Sequence, residues 1–168
     1  GNGVAAVNVN TGAGNDVLTL KASATIADAD ATITLGAGKD TLTIGAAGGL
    51  ANITATPTTV AELTAKIVTV TDFKAAEDVL SIKAATPVVF DAAQVALIAG
   101  QADLLAATKK AAELAGTRKT VVFGFGTDSY IYQNDGDAAV DGGDGLVKLT
   151  GVNVNDFNSA FNGNLVVA

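Results

Sequence analysis

The chain has 168 residues and a formal net charge of −7, from ten lysines and arginines against seventeen aspartates and glutamates. This acidic balance argues against nucleic acid as a partner, because nucleic-acid binding depends on clustered cations that neutralise phosphates. Cysteine and histidine are absent, which excludes disulfides, thiolate metal sites and every Ser-His-Asp triad. Walker, Gly-x-Ser-x-Gly and His-Glu-x-x-His motifs are also absent, so we expect no enzymatic activity.

Hydrophobic residues make up 49% of the chain but aromatic residues only 5%. A core made of small aliphatic side chains favours thin, repetitive β-structure over a bulky globular interior. No apolar run reaches the roughly 18–20 residues that a transmembrane helix needs, so we expect no membrane insertion. The first ten residues lack the basic and leucine-rich regions of a signal peptide and are typical of the middle of a longer protein.

Short β-branched segments predict strands in the first quarter of the chain. They are VAAVNV (4–9), DVLTL (16–20), ATITL (31–35) and TLTI (41–44). Gly-Ala-Gly-x-Asp, followed by x-Leu-Thr-aliphatic, occurs at 12–20 and again at 36–44. A repeat containing two strands and two turns predicts one coil of a β-solenoid, which must stack on its neighbours to bury its inner face. Two similar hairpins of a β-sandwich remain the alternative.

The middle of the chain mixes strands with helices. Thr59 and Glu62 have the spacing of a capping box and predict a helix at about 59–66, and strands follow at 66–70 and within 71–82. Residues 91–116 are helical in composition, with Asp91 as N-cap, Gly100 dividing two helices and Gly116 as C-cap. Their apolar side chains predict a docking face: Val95, Leu97, Ile98, Leu104, Leu105 and Leu114.

The last third returns to β-structure. Strands are predicted at 119–125, 128–133 and 146–152, with the acidic loop NDGDAAVDGGDG (134–145) between the second and third. Tyr130 and Tyr132 alternate with Ile131 and therefore share one sheet face. Asn155 can cap one helical turn. The predicted organisation is a solenoid with a closing segment over 1–83, a helical insert over 84–118 and a C-terminal β-sheet cap over 119–168.

The repeated glycine turn has a chemistry of its own. Glycines at alternate positions allow the backbone to turn sharply and aim carbonyl oxygens at one point, and the following aspartate adds a carboxylate. Calcium takes six to eight oxygen ligands at about 2.3–2.6 Å. One turn supplies part of such a shell, and the same turn one coil away can supply the rest. The alternative is a Gly-Asp turn whose carboxylate bonds its own backbone.

These residues resemble the RTX nonapeptide repeat G-G-x-G-x-D-x-U-x, in which U is a large aliphatic residue. Gly12, Gly14, Asp16 and Leu18 fill four of its five fixed positions, as do their counterparts in the second copy: Gly36, Gly38, Asp40 and Leu42. Thr11 and Leu35 replace the leading glycine. The resemblance implies an all-β-dominated fold, a calcium-binding parallel β-roll or β-helix. RTX repeats stack every eighteen residues, whereas these two copies are 24 apart, which implies a longer coil.

Two further segments extend the resemblance. VTDFKAAEDVLSI (70–82) is similar to the segment that closes RTX arrays, in which Phe73 would plug the end of the solenoid. Residues 127–152 resemble the C-terminal region of RTX-type S-layer proteins. Together they imply a calcium-binding structural region of a bacterial surface array, secreted by type I export through a C-terminal signal and self-associating into a lattice at the cell surface. Attachment to cell-surface polysaccharide would come through an upstream domain. The alternative is a non-catalytic RTX module of a secreted protease, lipase or adhesin.

The candidate ligands of Ca²⁺ fall into four groups. The two turns contribute Thr11, Gly12, Gly14, Asp16, Leu35, Gly36, Gly38 and Asp40, the opposite turn contributes Asp28 and Asp30, the closing segment contributes Asp72, and the acidic loop contributes Asp135, Asp137, Asp141 and Asp144. The acidic loop lacks the glutamate of an EF-hand at its twelfth position, where Leu146 stands, so a solvated loop remains an alternative for it. Asp72 and Asp78 are also interpretable as plain turn carboxylates.

Overall fold

The computed structural model describes residues 6–20, 30–44, 50–82, 88, 90–117, 120–137, 139–160 and 165–167. Ten strands and four helices occur within these ranges. The strands are β1 (Val7–Asn10), β2 (Val17–Leu20), β3 (Ala31–Thr34), β4 (Thr41–Ile44), β5 (Val68–Val70), β6 (Val79–Ile82), β7 (Thr120–Phe125), β8 (Asp128–Gln133), β9 (Gly145–Leu149) and β10 (Leu165–Val167). The helices are α1 (Val60–Thr64), α2 (Ala92–Ala99), α3 (Leu104–Ala115) and α4 (Val154–Ala160). The chain is therefore rich in strands, with a few helices.

The first six strands alternate between two parallel sheets. One sheet contains β1, β3 and β5 side by side, and the other contains β2, β4 and β6. Val7 lies beside Ala31, and Val17 lies beside Thr41, so both sheets keep the 24-residue offset of the sequence repeat. The next pair of strands, β5 and β6, is offset from β3 and β4 by 37 residues in the first sheet and by 38 in the second. The offset is larger because this third coil includes α1 and a longer turn. Parallel pairing on both sides is the arrangement of a coil, and the two-hairpin alternative is wrong.

Two later segments join these sheets. β9 pairs in parallel with β5, and β8 and β7 extend the same sheet in antiparallel fashion. β10 pairs in parallel with β6 in the second sheet. The first sheet thus runs continuously from the predicted solenoid into the predicted C-terminal cap.

The core has two parts. The inner faces of the first six strands enclose aliphatic side chains such as Ile33, Leu42 and Leu80, and Phe73 lies among them with its ring 5.9 Å from that of Phe157. The second part lies between helices α1, α2 and α3 and one face of β7 and β8, where Phe123 stacks on Tyr130 with 5.5 Å between the ring centroids. Tyr130 and Tyr132 are both buried there, as predicted for one sheet face.

The helical predictions are confirmed in most details. The capping box of Thr59 and Glu62 is present, Asp91 and Asp103 cap α2 and α3, and the break between these helices begins at Gly100. Two details are wrong. Leu97 is 54% exposed and lies outside the docking face. The side chain of Asn153, rather than Asn155, accepts a backbone N–H at the start of α4, because that helix begins one residue before Asn155.

Candidate functional site

The two glycine turns lie directly on one another. Ala13 and Ala37 form a parallel bridge, in which Ala37 N–H donates to the Gly12 carbonyl at 3.0 Å and Gly14 N–H donates to the Ala37 carbonyl at 2.8 Å. All four turn glycines have positive φ, between 94° and 138°. A Cβ on Gly36 would stand 1.7 Å from the Gly12 carbonyl oxygen, so only glycine permits this stacking distance. The carbonyls of Gly12 and Ala37 therefore accept backbone hydrogen bonds from the neighbouring coil.

The aspartates that end the turns form a continuous column. Asp16 N–H donates to Asp40 Oδ1 at 2.9 Å, and Asp40 N–H donates to Asp78 Oδ1 at 2.9 Å. The side chains of Asp40 and Asp78 therefore each reach back to the backbone of the preceding coil. We call Asp16, Asp40 and Asp78 the aspartate column.

The members of the column differ in their second carboxylate oxygen. Lys74 N–H donates to Asp78 Oδ2 at 2.8 Å, so both Asp78 oxygens are bonded. Asp16 Oδ2 and Asp40 Oδ2 are buried and have no hydrogen-bond partner among the residues that the structure describes. Asp40 as a whole is 0% exposed. Burying an ionised carboxylate oxygen without a partner is unfavourable by several kcal/mol, so these two oxygens are suited to ligating a cation.

The remaining predicted ligands of the turns also make contacts between coils. Asp72 accepts the N–H groups of Leu35 and Gly36 at 2.7 and 2.8 Å, one on each oxygen. The Thr11 hydroxyl donates to the Leu35 carbonyl. Asp72 is thus a backbone anchor in this geometry, while metal ligation by Thr11, Leu35 and Asp72 stays a prediction.

The acidic loop brings three of its four predicted aspartates together. One carboxylate oxygen from each of Asp135, Asp141 and Asp144 lies within 4.8 Å of the others, close enough to share one metal ion. Asp137 lies outside this group and accepts the Ala139 N–H at 2.7 Å. These three carboxylates are a candidate metal site.

Asp144 is the buried member of the loop cluster. It accepts hydrogen bonds from the Tyr132 hydroxyl at 2.6 Å and from the N–H groups of Asp135 and Asp141 at 2.9 and 3.0 Å. Burial raises the pKa of the Asp144 carboxyl, and these hydrogen bonds only partly offset that rise. Burial also raises the pKa of Tyr132, with the hydrogen bond to Asp144 as the second cause. Asp144 organises the loop through its own hydrogen bonds.

The predicted second row of ligands is placed only in part. Asp28 lies outside the described residues. Asp30 is exposed, and its backbone carbonyl accepts the Val7 N–H at 2.9 Å. Its side chain stays a predicted ligand.

Sequence reasoning missed Asp78 as a member of the column. The Gly-x-Gly signature is absent before it, which concealed the relation to the first two copies. A shorter signal was present, since all three column residues open an Asp-x-Leu-Ser/Thr-aliphatic segment, at 16–20, 40–44 and 78–82. Asn15 was missed as well: its side chain accepts the Lys39 N–H at 2.9 Å.

Comparisons with known proteins add little to this description. No protein-family profile matches the chain, and no curated protein matches it. One solved structure that is similar is the solution structure of the AlgE6R3 subunit from the Azotobacter vinelandii mannuronan C5-epimerase. It is 16% identical with a TM-score of 0.28, and the match covers 96% of this chain and 78% of that one. So low a TM-score carries no argument, and the architecture rests on the strand pairing. Within the described part of the chain, no helix is long and apolar enough to cross a membrane.

Proposed function

We propose that the chain is a structural, non-catalytic β-roll module whose stacked turns are stabilised by Ca²⁺. The observation that carries this proposal is the pair of buried oxygens, Asp16 Oδ2 and Asp40 Oδ2, that lack a hydrogen-bond partner among the described residues. The other oxygen of Asp40, Oδ1, accepts the Asp16 N–H of the preceding coil. By the repeat, Asp16 Oδ1 would accept the same N–H from a coil before it. Calcium suits such a site because it prefers oxygen ligands in flexible arrangements.

Electrostatics give calcium a role in folding. Neighbouring strands are about 4.8 Å apart, and two like charges at that separation repel by about 3.5 kcal/mol at an effective dielectric constant of about 20. A divalent cation between successive aspartates removes this repulsion and links one coil to the next. Because the unfolded chain has no assembled site, the free energy of binding adds to the stability of the folded state.

The wider role that fits a calcium-ordered module is a region of a bacterial surface array. In this proposal the chain is exported by type I secretion, folds when it meets extracellular calcium and self-associates into a lattice. Support comes from the resemblance of residues 70–82 and 127–152 to RTX-type surface proteins, and from the low content of lysine and arginine. The cluster of Asp135, Asp141 and Asp144 offers a second place for a calcium ion.

The second candidate is an accessory RTX module of a secreted protease, lipase or adhesin. The same aspartate column favours it, because calcium-dependent folding serves either role. The two differ in assembly: an array protein forms ordered sheets, whereas an accessory module stays monomeric.

The test compares folding and assembly in Ca²⁺ and in chelator. We expect calcium to raise the unfolding temperature measured by circular dichroism, with magnesium at equal concentration as the control. Electron microscopy of the calcium-loaded protein then separates the two roles, since ordered sheets support the array and monomers support the accessory module. Identical unfolding curves in calcium and chelator would refute both and leave a protein domain without a structural ion.

A further inference from the structure

The two ends of the stacked coils differ in how completely they are covered. At the far end, β5 and β6 pair onward with β9 and β10. At the near end, β1 and β2 are the outermost strands of their sheets. Among the described residues, no strand pairs with their outer edges. We call β1, β2 and the turn 11–16 the open end.

Burial at the open end is incomplete at positions that belong to the core. Val7, Val9 and Leu18 pack against the core but are only half-buried. Their partners one coil inward, Ala31, Ile33 and Leu42, are 4%, 1% and 0% exposed. The same sequence positions are therefore buried wherever another coil covers them.

Backbone groups at the open end are arranged for a further strand. Val7 N–H donates to the carbonyl of Asp30, just before β3, and Thr11 N–H donates to the carbonyl of Thr34, at the end of β3. Since alternate residues of a strand face opposite neighbours, the N–H groups of Asn8 and Asn10 point away from β3. On β2, the Asp16 carbonyl accepts the Thr41 N–H, so the N–H groups of Val17 and Thr19 point outward by the same rule. Both edges thus present the donors of a parallel ladder.

We propose that the open end binds one further β-coil, added in parallel register as the next member of the stack. The partner is a strand–turn–strand segment with aliphatic residues at its inward positions and glycines in its turn. Its turn would donate a backbone N–H to Asp16, as Asp16 donates to Asp40. This binding mode is β-augmentation on both edges at once, and it does not depend on the proposed calcium role.

A coil fits this surface better than a second whole copy of the chain does. Two copies meeting at their open ends would be related by a two-fold axis, which reverses the strands and makes the pairing antiparallel. Neither Asp16 carboxylate would then receive the N–H that the repeat provides. Continuation of the existing coil-to-coil interface supplies that N–H and keeps the strands parallel.

The test extends the full chain by one coil. A copy of residues 6–29 is joined directly before Ala6, which keeps the 24-residue repeat, and amide hydrogen exchange is followed by NMR. We expect the amides of Asn8 and Asn10 in the parent coil to exchange about tenfold or more slowly than in the unextended chain, because each becomes a ladder donor. The matched control carries Val9→Asn and Leu18→Asn in the added copy only, and should leave both amides unprotected.

A second variant removes the outward donor of β1. Asn8→Pro in the parent coil is tolerated on an edge strand because that N–H does not serve β3, and it should abolish the protection of Asn10 by the added copy. Equal exchange in the extended chain and its control overturns the proposal. Protection of Asn8 in the unextended chain that grows with protein concentration also overturns it, in favour of a second copy. Calcium binding by the unextended chain is measured separately, so failure here leaves the calcium proposal standing.

Discussion

The two glycine turns and the turn of the closing segment use aspartate in different ways. In the closing segment, Asp72 and Asp78 have both carboxylate oxygens bonded to backbone N–H groups of described residues. In the glycine turns, Asp40 has one oxygen bonded and the other buried without a partner among those residues. An aspartate in these turns is therefore structural when backbone N–H groups bond both of its carboxylate oxygens, and is a candidate ligand when one oxygen is left without a donor.

The largest effect should separate a covered glycine from an uncovered one. Gly36→Ala places a Cβ 1.7 Å from the Gly12 carbonyl oxygen, whereas Gly12→Ala, at a similar φ of 94°, meets nothing within 4 Å. Both substitutions strain the backbone by about 1–3 kcal/mol, and only Gly36→Ala must also force the coils apart. We expect Gly36→Ala to lower the free energy of unfolding by about 4 kcal/mol or more, as measured by urea denaturation.

Equal losses in these two variants would contradict the stacking of the turns. A larger loss for Gly12→Ala would show instead that the outer face of the first turn is tightly covered.

The next effect should separate two members of the aspartate column. In chelator, Asp78→Asn leaves one backbone N–H facing an amide donor and should destabilise the fold by about 2–3 kcal/mol. Asp40→Asn keeps the side-chain oxygen that accepts the Asp16 N–H and removes a buried charge. It should therefore leave the free energy of unfolding unchanged or raise it. Glu77→Gln, beside Asp78, is the charge-matched control: it removes only an exposed ion pair with Lys74 and should change the free energy of unfolding far less than Asp78→Asn does. Urea denaturation in chelator measures all three.

If Asp40→Asn instead destabilises the calcium-free protein as strongly as Asp78→Asn, Asp40 is satisfied by contacts within the protein. The distinction between the glycine turns and the turn of the closing segment would then be lost.

The smallest effect concerns Asp144, a third aspartate bonded on both oxygens. Tyr132→Phe removes its hydroxyl donor and should cost about 1.5–3 kcal/mol while Asp144 is ionised, but only about 1 kcal/mol once Asp144 is protonated. Because burial raises the pKa of Asp144 above its unfolded value, the native state binds the proton more tightly. The contribution of this carboxyl to stability therefore falls as the pH rises through the raised pKa.

The measurement is thermal unfolding of Tyr132→Phe and wild type in chelator between pH 7 and pH 4. The difference between the two proteins should shrink toward acid. A difference that is constant with pH would show that the Tyr132 hydroxyl does not act through the Asp144 charge.

The sequence predicted the first two coils because a local repeat encodes them. Glycines at 12, 14, 36 and 38 must have positive φ, and the Asp-x-Leu-Thr-aliphatic segment after each pair begins a strand with an alternating inner face. Helix caps were also predictable, since capping depends on residues three apart. These features are local, and local chemistry determines them.

What escaped prediction depends on contacts distant in the chain. The pairing of β5 with β9 joins Val68 to Val147, and no periodicity links two single strands so far apart. Asp78 was missed because its turn has no glycine pair and its coil has a different length. The acidic loop was predicted as a group of ligands, and Asp135, Asp141 and Asp144 do lie together. That Asp137 falls outside this group was not predictable, because the hydrogen bonds that Asp144 makes across its loop arrange it.

Isothermal titration with Ca²⁺ tests whether the two aspartates of the glycine turns, Asp16 and Asp40, ligate the ion through their buried Oδ2 atoms. The variant is Asp16→Asn/Asp40→Asn, and the control is Asp91→Asn/Asp103→Asn, which makes the same charge change at two helix N-caps where asparagine is equally good. The control should bind calcium as the wild type does, and the column variant should lose at least one site or bind it about a hundredfold more weakly. Unchanged stoichiometry and affinity in the column variant would contradict the account.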